Sequence, residues 1–149
     1  MIHLNLFQKT SKAGFVVTLN GTSLSSVTDE NGYFIINDVP MNATNEYDIT
    51  ITKSGYIKRV IKGVIFDNDV VISNGESPIL MWSGDISNPN DDKINMVDVI
   101  ALSKVFISVK GDEFYYESAD LNGDSVINIM DVVIMAKHFN QTSSDYPDF

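Results

Sequence analysis

Between Asp120 and Asp131, oxygen-bearing side chains stand at positions 1, 3, 5, 9 and 12 of a twelve-residue stretch, with an apolar residue at position 8. A calcium ion takes six to eight hard oxygen ligands at about 2.3–2.6 Å, and a tight loop supplies them from alternate residues. Asp120, Asn122 and Asp124 are the candidate side-chain ligands, and Val126 is a candidate through its carbonyl. Asn128 would act directly or through water. Asp131 would close the site from the first turn of the following helix, and Ile127 would tie the loop to a core.

The pattern occurs a second time upstream. Ile94-Asn95-Met96-Val97-Asp98-Val99 echoes Ile127-Asn128-Ile129-Met130-Asp131-Val132, and Val99, Leu102 and Phe106 match Val132, Met135 and Phe139. A repeat too short to fold alone implies two units that bury their apolar faces against each other. In the upstream copy thirteen bonds separate Asp85 from Asp98, against eleven between Asp120 and Asp131. Counting back from Asp98 gives Asn95, Lys93 (through its carbonyl) and Asp91 as ligands. The position-3 oxygen falls to Asn88 or Asn90, with Asp92 at the tight-turn position and pointing to solvent. The longer loop costs more to order and should be the weaker site. Both loops depart from the EF-hand, which has Gly at position 6 and Glu at position 12; here Ser125 and Asp131 stand there.

Two calcium loops that each feed one helix, with no proper entering helix, resemble the dockerin family over roughly residues 83–142. Together with a preceding immunoglobulin-like module, the junction Met81-Trp82-Ser83-Gly84-Asp85 and the segment Thr142–Tyr146, they look like a cellulosomal X-module–dockerin pair of the type II class. The resemblance implies an α-helical dockerin at 82–149 after an X-module at 1–81, two bound Ca2+ ions, and a cohesin of an anchoring or adaptor scaffoldin as partner. It also implies an extracellular, cell-surface cellulosome and a monomer when free.

The first half reads as short strands. Ile2, Leu4 and Leu6, then Phe15, Val17 and Leu19, then Tyr47, Ile49 and Ile51 alternate with other residues. Turn signals separate them at Asn20-Gly21, Asp29–Gly32, Pro40–Asn42 and Ser54-Gly55, and β-branched runs follow at 60–61, 64–66 and 70–72. This argues a β-sandwich, and Val27–Phe34 with Lys53–Tyr56 resembles the carboxypeptidase-regulatory-like sandwiches. Lys58, Arg59 and Lys62 read as the solvated face of a strand.

Charge sharpens the division. Residues 1–81 hold six Lys and Arg against eight Asp and Glu, whereas 82–149 hold four against twelve. That sign disfavours nucleic acid and anionic membranes, and no apolar run is long enough to insert into a membrane. No signal peptide opens the chain, so a secreted protein of this kind would be an internal piece of a longer precursor. The absence of cysteine excludes thiol catalysis, and His3 and His138 have no sequence reason to meet. The acidic residues with recognisable spacing belong to the loops, which leaves no catalytic set and argues against an enzyme. The alternatives are an EF-hand-type calcium sensor or buffer and a carbohydrate-binding module with structural calcium.

Each helix after a loop carries two stripes. Val99, Leu102, Ser103 and Phe106, and Val132, Met135, Ala136 and Phe139, are the core stripes by their spacing. The second stripes are Val97, Ile100, Lys104 and Ser108, and Met130, Val133, Lys137 and Gln141, extended by Met96 and Ile129. A module of about sixty residues cannot bury both. The second stripes are therefore the expected partner-binding face, apolar and rimmed by lysine. Apolar Met96-Val97 and Ile129-Met130 before the closing aspartates resemble the type II class.

Overall fold

The computed structural model describes residues 2–3, 12–40, 42–67, 70–72, 78–87 and 89–148. Leu4 and Leu6 of the first expected strand and Asn88 of the first loop lie outside the described residues. Among the described residues eight strands are present: β1 (Ile2–His3), β2 (Val16–Leu19), β3 (Ser25–Val27), β4 (Tyr33–Phe34), β5 (Asn42–Thr52), β6 (Gly55–Tyr56), β7 (Arg59–Phe66) and β8 (Ser83–Asp85). Two helices follow, α1 (Met96–Lys104) and α2 (Ile129–Lys137), with one 3-10 turn between them at Glu117–Ala119.

The central sheet is antiparallel in the order β3-β2-β5-β7. Alternation places Phe15, Val17 and Leu19 of the β2 region and Ile49 and Ile51 of β5 on its buried face, as period-two patterning requires. Phe34, Tyr56, Ile61, Phe66, Ile79 and Met81 complete this core. The turn Asp29–Gly32 is closed by its own first residue. Asp29 Oδ1 accepts from the amides of Asn31 and Tyr33, both at 2.9 Å. The run 70–72 is not a strand.

The expected fold class, a β-sandwich followed by an α-helical module, requires correction. The chain is predominantly β, and each of its helices spans only nine residues. The second half is mostly extended loop, and its first element is a strand: β8 pairs with β6 of the first half. The two halves are locked together at this point. Ile57, fully buried, belongs to the second core with Ile94, Leu102, Ile127, Ile134 and Met135. Its amide donates to Trp82 O and its carbonyl accepts from Tyr146 Oη, both at 2.9 Å.

Two further expectations are corrected by this packing. Arg59 is not on a solvated face but buried, donating to Leu80 O at 2.9 Å and to Pro147 O at 3.0 Å, with its guanidinium over the Tyr146 ring. Burying an arginine is tolerable only because carbonyls and a ring face receive it. In the helices, Leu102 and Met135 are core as expected, but Ser103, Phe106, Ala136 and Phe139 are exposed and Ile134 is buried in their place.

Candidate metal loops and partner face

The helices begin where the repeat says they should. Asn95 and Asn128 are N-caps in extended conformation, and each forms a capping box with the aspartate three residues on. The Asn95 side chain accepts from Val97 N and the Asn128 side chain from Met130 N, both at 2.8 Å. Reciprocally, Asp98 Oδ2 and Asp131 Oδ2 accept from the amides of Asn95 and Asn128, again at 2.8 Å. These caps satisfy amides that a helix start otherwise leaves unpaired.

The other oxygen of each closing carboxylate reaches back to the start of its own loop. Asp98 Oδ1 accepts from Ile86 N at 3.0 Å and Ser87 N at 2.9 Å; Asp131 Oδ1 accepts from Leu121 N at 2.7 Å. Asp85, Asp98 and Asp131 are each 0% exposed.

In the second loop Asp120 Oδ1 accepts from Gly123 N and Asp124 N, and Oδ2 from Ser125 N. Asn122 and Asp124 are linked to each other, and Asn128 Nδ2 donates to Val126 O. The loop therefore gathers Asp120, Asn122, Asp124, Val126 O, Asn128 and Asp131 around one turn. The first loop repeats it with Asp85, Asp91, Lys93 and Asn95. Asp92 N donates to Asp85 Oδ2 as Ser125 N does to Asp120 Oδ2, and Lys93 N to Asp91 Oδ1 as Val126 N does to Asp124 Oδ1. Asp92 and Ser125 both sit at positive φ, 58° and 71°, where the tight turn demands it. Asn90 is the described candidate for position 3, and its Nδ2 donates to Asp85 O at 3.2 Å. Asp92 does not point free into solvent: its Oδ2 pairs with Lys58 Nζ at 2.7 Å.

Among the described residues no three His, Cys, Asp or Glu side chains are drawn together as a ready metal cluster. The donor set is mixed, combining carboxylates with Asn side chains and peptide carbonyls, which suits a hard cation of calcium type. Two observations on Asp85 fit such an ion. Its Oδ1 is buried with no hydrogen-bond partner, and unpaired buried polar atoms are uncommon. Burial and the nearby charges of Asp98 and Asp91 also push its carboxyl up to about 7, with the Asp92 amide opposing. Burial likewise raises Asp131. An acid raised in the folded state binds more protons than the unfolded chain between the two pKa values, so stability falls as pH rises through that window. Without a cation, more helical circular dichroism should therefore survive at pH 5 than at pH 7.5, and calcium should erase the difference. A metal-free chain more stable at pH 7.5 would show that Asp85 is not held this way.

The two repeats are joined by exchange. Ile94 N donates to Gln141 O and Asn140 N to Ile94 O; equivalently, Ile127 N donates to Ser108 O and Ile107 N to Ile127 O. Lys93 bridges to Thr142 and Val126 to Val109. Each loop is thus paired with the segment that follows the other loop's helix.

Of the expected partner-face residues, Met96, Val97, Ile100, Ile129, Met130 and Val133 are between 44% and 60% exposed, and Lys104 and Lys137 are exposed beside them. Ser108 is corrected: it is buried, its hydroxyl donating to Val105 O, because it lies in the exchange pairing. Gln141, half-buried in the equivalent position, is likewise engaged through its backbone. Trp82 stacks on Tyr146 with ring centroids 4.1 Å apart, so it is a packing residue rather than a sugar platform. Sequence reasoning missed Tyr115, whose hydroxyl donates to Asp120 Oδ2 at 2.7 Å; its place five residues before Asp120 was the available signal. The 3-10 turn Glu117–Ala119 follows Tyr115 and Tyr116 directly.

No family model matches the chain. It is 44% identical over 135 residues to the cellulosomal-scaffolding proteins B and A of Acetivibrio thermocellus. Those residues are 91% of this chain but only 17% and 7% of the relatives' lengths. Among solved structures it is similar to chains in two interface mutants, C-terminal and N-terminal, of a type II cohesin–X-dockerin complex from Acetivibrio cellulolyticus. Each match has a TM-score of 0.85 and 41% identity, covering 97% of this chain and 96% of the other. The chain belongs to the same family as these segments of the scaffolding proteins, and it is not an enzyme. The narrower identification as an X-module–dockerin pair is corrected to this broader membership. The relatives are scaffolding proteins, and the similar structures are of complexes that hold a cohesin and an X-dockerin together.

Proposed function

We propose that the chain is a calcium-dependent assembly module of an extracellular cellulosome. The observation that carries this reading is the repeated loop: two sets of mixed oxygen donors in the same register, each closed by a fully buried aspartate, one with an orphaned buried oxygen. Asp85, Asn90, Asp91, Lys93 O, Asn95 and Asp98 would hold one Ca2+, and Asp120, Asn122, Asp124, Val126 O, Asn128 and Asp131 the other. Bound calcium would neutralise the carboxylates that otherwise repel, and so fix both helices. The apolar stripes headed by Met96-Val97 and Ile129-Met130 would then be presented together, an exposed apolar surface of the kind that marks a protein partner. The partner that supports this reading best is the type II cohesin side of the assembly, since such complexes form around chains similar to this one. A sensor of the EF-hand type is less well supported, because strand β8 rather than a helix leads into the first loop.

Immobilised chain should retain a type II cohesin in calcium and release it in chelator, while an X-dockerin passes through. Retention of the X-dockerin instead would place the chain on the opposite side of the pair. Retention of neither would remove the assembly reading.

A further inference from the structure

One short segment of the first half touches the first loop and the lead-in to the second. Gly55 pairs with Asp85, which opens the first loop. Three residues on, Lys58 holds Asp92 at the tight turn of that loop, through Nζ to Oδ2 at 2.7 Å and its amide to Oδ1 at 3.2 Å. On the other side, Ser54 Oγ lies 2.7 Å from Ser118 Oγ. Gly55 is so close to the Ser118 backbone that a Cβ there would sit 2.9 Å from Ser118 O. Ser118 is two residues before Asp120, which opens the second loop. Between these contacts Ile57 is buried in the core that also takes Ile94 and Ile127, the apolar anchors of the two loops.

Resting on the calcium reading above, we infer that Ser54–Lys58 is a positioning element shared by both loops, through which loading of one raises the affinity of the other. The segment lies in neither loop's sequence and supplies no ligand. It is pinned at both ends to residues that must be in place for a ligand to be aimed, so ordering one loop fixes the support of the other. Such coupling is reciprocal by thermodynamic necessity.

The test is calcium titration calorimetry on the full chain. Asp85→Ala isolates the second loop and Asp120→Ala the first. Each isolated loop should bind calcium about fivefold or more weakly than it does in the native chain, a coupling at the lower end of the usual range. Gly55→Ala in the Asp85→Ala background should weaken the second loop by about tenfold. Gly21→Ala should leave it unchanged, although Gly21 has a similar φ of +80° with nothing within 4 Å. Lys58→Met should weaken the first loop in the Asp120→Ala background, and Lys58→Arg should restore most of it. Ser54→Ala, which removes only the bond to Ser118, should weaken the second loop in the same direction should Gly55→Ala fail to fold. Calcium uptake by the native chain with affinities unmoved by Gly55→Ala, Ser54→Ala and Lys58→Met overturns the coupling alone. No calcium uptake by the native chain overturns the functional reading and the coupling with it.

Discussion

In excess chelator the chain is expected to lose its helical circular dichroism while its β-sheet signal persists. Residues 82–149 carry twelve acidic side chains against four basic ones, and two Ca2+ ions would offset half of that surplus. Three of the carboxylates, on Asp85, Asp98 and Asp131, are wholly buried, and burying an ionised carboxylate without a counter-charge costs several kcal/mol. The core beneath them is small, built around Ile57, Ile94, Leu102, Ile127, Ile134 and Met135. If this half binds calcium, the binding free energy would be folding free energy. The sheet β3-β2-β5-β7 has its own core of Phe15, Val17, Leu19, Ile49 and Ile51 and needs no cation. A helical signal unchanged in chelator would sink the calcium reading.

Charge on the partner face should abolish binding with calcium still held. Met130 and Val97 occupy equivalent places in the two repeats, second in their helices, with exposed side chains that supply no ligand. Apolar anchors at the centre of an interface are each worth about 2 kcal/mol or more when removed, which is about thirtyfold in affinity. Met130→Asp and Val97→Asp should each lose at least that much cohesin binding in a sensor assay, with calcium affinity by calorimetry unmoved. If both variants bind the cohesin like the native chain, the stripes are not the contact surface. Loss in one variant alone would assign the contact to one repeat.

The parts of this structure that were legible in the sequence are those set by local spacing. The offset between Asn95-Met96-Val97-Asp98 and Asn128-Ile129-Met130-Asp131 located both helix starts, because the cap and the reciprocal aspartate are only three residues apart. Counting back from Asp98 placed Asp92 at the tight turn, where its positive φ is found. Alternation gave β2 and β5 their buried faces. What could not be read depends on residues distant in sequence. Arg59 looks like a surface cation until Leu80 O and Pro147 O are brought to it. Lys58 shows no sequence link to Asp92, and Ser108 reads as part of an exposed stripe until Ile127 pairs with it. Phe106 and Phe139 have core spacing, but each helix stops before them, at Lys104 and Lys137, so the period that would bury them has ended. The even division into a β half and an α half failed for a related reason. Nine-residue helices are marginal on their own, and the loops and β8 make up the rest.

The exchange pairing between repeats also sets an order in time. Val126 of the second loop pairs with Val109, and Ile127 with Ser108, residues made earlier and close by. Lys93 of the first loop pairs with Thr142, and Ile94 with Gln141, nearly fifty residues later. Closing the longer interval costs more chain entropy and is slower. In a chain that emerges from its N-terminus, the second loop can close as soon as Asp131 is free, whereas the first must wait for residues 140–142. The upstream site would be finished last, so under the calcium reading a chain whose residues 140–142 are not yet free would hold one ion but not two.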